Sequence, residues 1–449
     1  MRQMRTPPLE EDDMDEYTDP QTAQRLLQAL DDGELDYLFQ SAHVDYTERL
    51  GVIGTSRTLG LPSEAVDHLV ASIRSAQGLT VLAGAWGDYS GWITLSAELV
   101  ELLHAIDTRS ACNFISESDL PEDEINALQN EILIEEVLPL GLTFGELSPT
   151  NDIELTQAKA GARRMLQEGT DPTTTYERWV MRFFDLMRQL PQLAEQPLTL
   201  QRLLELHALL VLDKSVGGVL RTNDLPEGAT VPLPADGPGV RADRIVSEMN
   251  AIAAYGAQEQ RPFVHPLIKA IIHFYWIRRV QPFLVANGLF ARLVAHIYEY
   301  QQGYETLPFT PLTRTASSEW AIPPQGSEGA RFDATSFVIK RLNLFLNAYT
   351  YAEREMRETT ERHAALRTRF ASLGINHRQA SILDVALSAP TTVFTIRRHA
   401  RSRGLAYETA RQDFLQLVTA GYLEQQKRGR VFEFRLAHDA DKKLAKKLG

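Results

Sequence analysis

The chain has 449 residues, 44% of them hydrophobic, which is enough for two or three globular domains. Its single cysteine, Cys112, excludes an internal disulfide and favours a reducing compartment. No apolar run reaches the roughly 18 residues of a membrane span, and the first residues lack the apolar stretch of a secretory signal. We therefore expect a cytoplasmic protein without a membrane partner.

The charge is distributed unevenly along the chain. The net charge is -13, but residues 366–449 hold 16 Lys/Arg and seven Asp/Glu, a balance of +9, and the remainder carries -22. This asymmetry predicts a C-terminal module that contacts polyanions. A basic surface that is simply solvated is the alternative.

The N-terminal third is predicted to be mainly helical. Residues 1–20 are acidic and poor in apolar side chains, so we expect a disordered lead. Helical spacing then runs through most of residues 21–145, an N-terminal region of its own. The stretch around Trp86 and Trp92 is compatible with short strands or with a packed loop.

Residues 146–370 are predicted to form the body, as a bundle of helices. We expect Gly217-Gly218 to end the helix that contains LQRLLELHALL. The segment HPLIKAIIHFYWIRRV is apolar nearly all round, which is typical of a fully buried helix, with His265 and His273 as capping and core residues. A loop, a second helix and a long amphipathic helix over about 333–370 follow.

Residues 371–449 are predicted to form a winged helix-turn-helix domain with a basic tail. Three short helices precede YLEQQ-KRGR-VFEFR, which alternates apolar and polar residues around a tight turn, as a β-hairpin does. Arginine and lysine side chains in such a module suit phosphate contacts. The predicted DNA-binding residues are Arg397, Arg398, Arg401, Thr409, Arg411, Lys427, Arg428 and Arg430, and Arg403 belongs to the same predicted basic surface.

The loop between the two helices of the body resembles the signature of the Fic (Fido) family, His-Pro-Phe-x-Asp/Glu-Gly-Asn-Gly-Arg-x-x-Arg. It reads QPFLVANGLFAR from Gln281, and five positions agree in register: Pro282, Phe283, Asn287, Gly288 and Arg292. Upstream, GGVLRTNDLPEGATVPLP is similar to the family's target-binding flap, with Thr230, Val231 and Pro232 at its centre. The resemblance extends over about 131–434. It implies a helical bundle with a small β flap, a C-terminal winged helix, and transfer of AMP from ATP to a protein hydroxyl.

Four substitutions predict that this activity is impaired. Gln281 stands where the family places its catalytic histidine, and an amide cannot act as a general base. Val285 replaces the metal-binding carboxylate, so no Mg²⁺ site is expected. Leu289 replaces the first arginine, and Ala286 replaces a glycine.

Two further sites follow from the resemblance. ATP, another nucleotide or phosphate could still bind at Asn287, Gly288 and Arg292, near a helix N-terminus. The alternative is that Asn287 caps that helix and Arg292 pairs with a carboxylate. Glu135 lies where the family's inhibitory helix has its glutamate, and it is either a partner of Arg292 or an exposed helical residue.

The leading functional hypothesis is a catalytically impaired Fic-like protein that acts as a DNA-associated regulator. One alternative is a Fic-type adenylyltransferase, or a related transferase of phosphate-containing groups, with residual or altered activity. A second alternative is a scaffold whose flap binds a segment of a partner protein. A homodimer is compatible with each of these.

Overall fold

The structure is a computed structural model, and its fold is mainly helical with a few short strands, as predicted. It describes residues 20–33, 60, 62, 78–85, 90–111, 118–143, 161, 164–165, 170–173, 175–224, 239–257, 262–309, 331–440 and 442–444. Residues 1–19 of the predicted disordered lead and the flap residues Thr230, Val231 and Pro232 lie outside the described residues, whereas Pro20 is helical.

The helices of the described residues are numbered in chain order. Those that precede the C-terminal module are α1 (Pro20–Asp31), α2 (Ala97–Ser110), α3 (Glu122–Thr143), α4 (Thr175–Arg188), α5 (Leu190–Ala194), α6 (Leu200–Val211), α7 (Ile245–Ala257), α8 (Pro266–Val280), α9 (Asn287–Gln301) and α10 (Thr335–Arg369). None of the described helices combines the length and the apolar composition that a membrane crossing requires.

The chain forms two compact units. The first comprises Met1–His104 with Gln325–Lys340, and the second comprises Ala105–Pro324 with Arg341–Gly449. The domain boundaries given by the sequence therefore stay predictions.

The first unit contains a three-stranded sheet. Strand β1 (Leu79–Ala83) pairs antiparallel with β2 (Ser90–Ile93), and β2 pairs in parallel with β3 (Arg331–Asp333). The stretch that the sequence left undecided therefore holds two strands, and Trp92 is buried in β2.

The second unit is built around α8 and α9. Thirteen of the fifteen residues of α8 are buried, which confirms the fully buried helix. His265 caps α8 through its side chain and His273 is buried in its middle, as predicted. Both helices are buried on nearly every side because other helices surround them.

One predicted boundary in this unit is wrong. Helix α6 ends at Val211, not at Gly217-Gly218, because Leu212 adopts the left-handed conformation (φ 60°) and its N–H bonds to the carbonyl of Ala208. A turn over residues 214–218 follows, in which the N–H of Gly217 bonds to the carbonyl of Asp213. Helices α5 and α7 had no counterpart in the predicted elements.

The C-terminal module comprises residues 371–444 of the described chain. Its helices are α11 (His377–Ser388), α12 (Ile396–Ser402) and α13 (Tyr407–Thr419), and its strands are β4 (Phe394–Thr395), β5 (Leu423–Arg428) and β6 (Val431–Leu436). Strands β5 and β6 form a hairpin around Gly429 and Arg430, and β4 pairs with β6. The predicted order of three helices followed by a hairpin is present, and Phe414 and Phe434 stack at its core with ring centroids 4.6 Å apart.

Candidate functional site

The loop of residues 281–286 joins α8 to α9 and is bounded by two residues in the left-handed conformation. Gln281 closes α8 with φ 47°, and Ala286 opens α9 with φ 58° and no side-chain cap. The left-handed region disfavours residues that carry a Cβ, so both positions store backbone strain. The chain thereby turns sharply between two buried helices.

Gln281 is buried at the position predicted for the catalytic base. Only 3% of its surface is exposed, and its Nε2 has no hydrogen-bond partner among the described residues. Its backbone carbonyl accepts a hydrogen bond of 2.7 Å from Nε of Arg221. A carboxamide does not titrate near neutral pH, so this side chain offers no proton acceptor.

Arg221 holds the start of the loop, although no pattern in the sequence marks it as a site residue. Its guanidinium is buried and donates to backbone carbonyls of Gln281, Asn223 and Val240. Its backbone N–H donates to the carbonyl of Pro282 at 3.0 Å. Burial lowers the pKa of Arg221, but an arginine keeps its charge at any physiological pH. A buried cation that bonds to carbonyls has no sequence signature.

Val285 and Leu289 stand where the family has its metal ligand and its first phosphate-binding arginine, and both are at least half-buried. Leu289 is fully buried in the core, and Val285 is half-buried. The carbonyl of Val285 accepts a hydrogen bond of 3.0 Å from Nε2 of His207. Within the described residues, no cluster of three or more His, Cys, Asp and Glu side chains could hold a metal ion.

His207 fixes the centre of the loop, and no pattern in the sequence marks it either. Its Nδ1 accepts from the N–H of Gly218 at 2.9 Å, so the proton is on the Nε2 that contacts Val285. Burial lowers the pKa of His207 to about 4, with the bond to Val285 opposing the shift. The ring is therefore neutral at pH 7, and it stacks on Phe283.

Asn287 braces the loop instead of capping the helix. Its Oδ1 accepts from the N–H of Phe283 at 3.0 Å, and its Nδ2 donates to the carbonyl of the same residue at 2.8 Å. The predicted capping role is wrong, because Asn287 is the first residue of α9 and Ala286 occupies the cap. The side chain of Asn287, one of the predicted anion contacts, is therefore engaged within the protein.

Arg292 is fully buried one turn further along α9. The next turns carry His296 and Glu299, whose Nδ1 and Oε2 atoms are 3.0 Å apart. Burial and the nearby Arg292 guanidinium lower the pKa of His296 to about 4. Glu135, the predicted partner of Arg292, lies in α3, but its side chain is outside the described part of the structure.

Among solved structures, several of Fic proteins are similar to this chain. The chain is similar to a Fic family protein from Desulfovibrio desulfuricans G20 (15% identity, 77% of this chain, 97% of that chain, TM-score 0.42). It is also similar to Fic-1 from C. elegans (14%, 77%, 97%, TM-score 0.42) and to a Fic domain containing signaling protein from Bacteroides thetaiotaomicron VPI-5482 (13%, 59%, 97%, TM-score 0.36).

Its fold resembles that of Fic proteins. Identities of 13–15% bear on the fold alone. Residues 281–292, which agree with the Fic signature at five positions, form the loop between the buried helices α8 and α9 and the start of α9. No family model and no curated protein matches the sequence.

The predicted DNA-binding residues of the C-terminal module lie on three elements beside the Fic-like body. Arg397 and Arg401 are exposed on α12, and Lys427, Arg428 and Arg430 are exposed on the hairpin. Arg398, Thr409 and Arg411 are half-buried, and Arg411 donates to Glu408 at 2.8 Å. Most of these side chains are therefore available to a ligand.

The module contacts the Fic-like body through His377 and through Arg403, which belongs to the predicted basic surface. Arg403 donates to Asp123 at 2.9 Å and lies 2.8 Å from Glu124, and His377 lies 2.7 Å from Asp123. Burial tends to raise the pKa of Asp123, but the hydrogen bonds from His377 and Arg403 outweigh it, and the pKa is lowered. The carboxylate is therefore ionised at neutral pH and holds the module against α3.

Asn130 adds a second polar contact on α3. Its Nδ2 donates to the carbonyl of Ser402 at 2.8 Å, and its Oδ1 accepts from Arg188 at 2.8 Å. Helix α3 thus contacts the C-terminal module through the residues of its first turns.

Proposed function

We propose that this protein is a DNA-associated regulator built on a Fic-like body whose loop does not transfer AMP efficiently. One observation carries the DNA-binding part of the proposal. Arg403 docks the module on α3, but five of the other cations predicted to contact phosphates are exposed: Arg397, Arg401, Lys427, Arg428 and Arg430.

The geometry of the loop supports the impaired chemistry. AMP transfer requires a base for the hydroxyl proton, a carboxylate for the metal and cationic groups for the phosphates. Gln281, Val285 and Leu289 supply none of these. Loss of the base alone typically removes about 10²–10⁴ in rate, and loss of the metal site removes more.

The order of elements in the module supports a winged helix in which α13 would be the recognition helix. Tyr407 and Glu408 in its first turn are exposed, as expected for side chains that approach base edges. The hairpin would be the wing. It extends Lys427, Arg428 and Arg430 into solvent, where such cations would bind the phosphate backbone.

Fluorescence anisotropy with labelled duplex DNA tests this proposal. The variant Lys427→Ala/Arg428→Ala/Arg430→Ala removes three exposed cations of the hairpin, and we expect its slope of log K against log[salt] to decrease by about 2–3. The matched control, Arg354→Ala/Arg357→Ala/Arg362→Ala, removes three exposed cations from α10. Binding that both variants lower equally would contradict the proposed wing.

A nucleotide or phosphate held without turnover is the second candidate, because Gly288 lies in the first turn of α9, where the helix dipole favours anions. Against it, Asn287 bonds to Phe283 and Arg292 is fully buried. Calorimetry with ATP, with and without Mg²⁺, distinguishes nucleotide binding without turnover from residual transferase activity. Binding that requires Mg²⁺, together with transfer of label from ATP, would favour the residual transferase instead. The scaffold reading depends on the flap, outside the described residues.

A further inference from the structure

A cavity of about 350 Å³ lies between α3, α11 and α12, apart from the Fic-like loop and from the predicted DNA-binding wing. Its volume falls in the range of small-molecule sites. Apolar side chains from the C-terminal module line one part of it, namely Ile382, Val385 and Phe394. Polar side chains line the rest, including Asn130 and His399. This combination of apolar and hydrogen-bonding groups is typical of a ligand pocket.

His399 is the polar group in this lining whose bonding is incomplete. It is 9% exposed, and its Nε2 has no hydrogen-bond partner among the residues that the structure describes. Burial, assisted by the charge of Arg403, lowers the pKa of His399 to about 4. The ring is therefore neutral at pH 7 and offers one N–H donor and one acceptor nitrogen. Buried polar groups in folded proteins nearly always have a partner.

The charges around the cavity are matched within the protein. Arg403 pairs with Asp123 and Glu124 on α3. The lining also contains one further group of each sign, Arg398 and Glu131. A charged ligand would have to leave water without an opposite charge in excess, which is costly. An uncharged ligand avoids that cost.

We propose that this cavity binds a small uncharged molecule that combines a ring with an amide or hydroxyl group. The ring would lie against Ile382, Val385 and Phe394, and the polar group would bond to His399. Such a ligand would contact both α3 and the C-terminal module, and it would therefore form part of their interface.

Methyl NMR of the full chain tests the site with benzamide as the probe and benzoate as its charged counterpart. The isoleucine δ1 methyls are labelled, because Ile382 lines the cavity while Ile271 lies in α8. We expect a saturable shift of Ile382 with benzamide, with Kd on the order of millimolar for so small a molecule, and no shift of Ile271. Benzoate should bind at least about fivefold more weakly.

Two tryptophan substitutions provide the matched pair. Val385→Trp fills the cavity from its partly exposed edge, whereas Val431→Trp places the same side chain on the similarly exposed hairpin. The first should abolish the Ile382 shift, and the second should leave it unchanged, with thermal midpoints within about 4 °C of the parent for both. Absence of a saturable shift in the parent, an unchanged shift in Val385→Trp, or tighter binding of benzoate would overturn the proposal. DNA is absent from this experiment, so it is independent of the proposed function.

Discussion

The imidazole of His207 lies flat on the ring of Phe283, with centroids 3.6 Å apart and 3° between the ring planes. The edge of Phe290 meets both rings at 88°. Because the same imidazole bonds to Val285 and Gly218, one buried side chain links the end of α6 to the loop. The Fic-like loop is thus held by packing and by backbone hydrogen bonds.

Replacement of His207 by Phe should destabilise the protein although it keeps an aromatic ring on Phe283. It leaves the buried carbonyl of Val285 and the N–H of Gly218 without their partner, and each loss typically costs about 1–3 kcal/mol. Urea unfolding should show a free energy of unfolding lower by about 2–4 kcal/mol. His438→Phe, at an exposed histidine, is the control. A loss below about 1 kcal/mol would mean that these bonds contribute little.

The stability of the protein should decrease between pH 6.5 and pH 4. The pKa of His207 falls from 6.5 to about 4 on folding, so the unfolded chain binds a proton first as the pH is lowered. The contribution of His207 to the free energy of unfolding is complete above pH 6.5. It is lost as the pH falls towards 4, at about 1.4 kcal/mol per pH unit.

The variant His207→Gln isolates this contribution. The pKa values of the buried residues His273, His296 and His399 are lowered as well, and these three histidines still titrate in the variant. Urea unfolding at pH 5 and pH 7 should therefore show a smaller pH dependence for the variant than for the parent. Equal slopes would show that His207 is not the neutral, buried group described above.

Glycine should be tolerated at position 286 better than at an ordinary helical position. Ala286 has φ 58°, where an alanine costs about 1–2 kcal/mol of backbone strain. Ala286→Gly relieves this strain, and the relief exceeds the free-energy cost of the greater conformational entropy that glycine gives the unfolded chain. We expect a stability change between zero and about 1 kcal/mol in favour of the variant. Ala364→Gly, at an exposed position inside α10, should instead cost about 1 kcal/mol. Equal losses at both positions would argue against the left-handed cap.

The pair Asp123–Arg403 should show a large coupling energy. Both side chains are largely shielded from water, and removal of Arg403 takes the shared cation from two buried carboxylates, Asp123 and Glu124. A double-mutant cycle with alanine, read from hydrogen exchange of α12, should give about 1–3 kcal/mol. The exposed pair Glu408–Arg411 is the control and should give at most about 0.5 kcal/mol. Coupling no larger than in the control would show that this pair does not hold the module in place.

Restoring the histidine alone should not restore AMP transfer. Gln281→His supplies a base, but Val285 still offers no carboxylate to a metal and Leu289 no charge to a phosphate. Incubation with labelled ATP and Mg²⁺ should therefore leave protein substrates at background. Gln281→His/Val285→Asp is the informative comparison, since it also adds a carboxylate that can bind the metal ion. Robust transfer by Gln281→His would show that other side chains had replaced the missing groups.

The local patterns in the sequence were sufficient to predict the elements that carry them. The apolar stretch of α8 predicts a buried helix, and QPFLVANG predicts the turn that follows it. The C-terminal helices and hairpin were likewise predicted, because capping residues and period-two alternation act over a few residues. Asn376 and Gln379 form such a reciprocal cap at the start of α11.

Other features depend on neighbours that are distant in the chain. Arg221 reaches Gln281 across 60 residues, and His207 reaches Val285 across 78. No periodicity marks these residues, since an isolated arginine or histidine gives no sign of the carbonyl it will meet.

The sequence by itself determined which chemical groups are present at the Fic-like loop: an amide in place of an imidazole and an isopropyl group in place of a carboxylate. Side-chain chemistry needs no fold to be read. Only the tertiary structure decided what those groups contact, because burial and the long-range approach of His207, Arg221 and α3 set the pKa values, the loop conformation and the cavity beside His399.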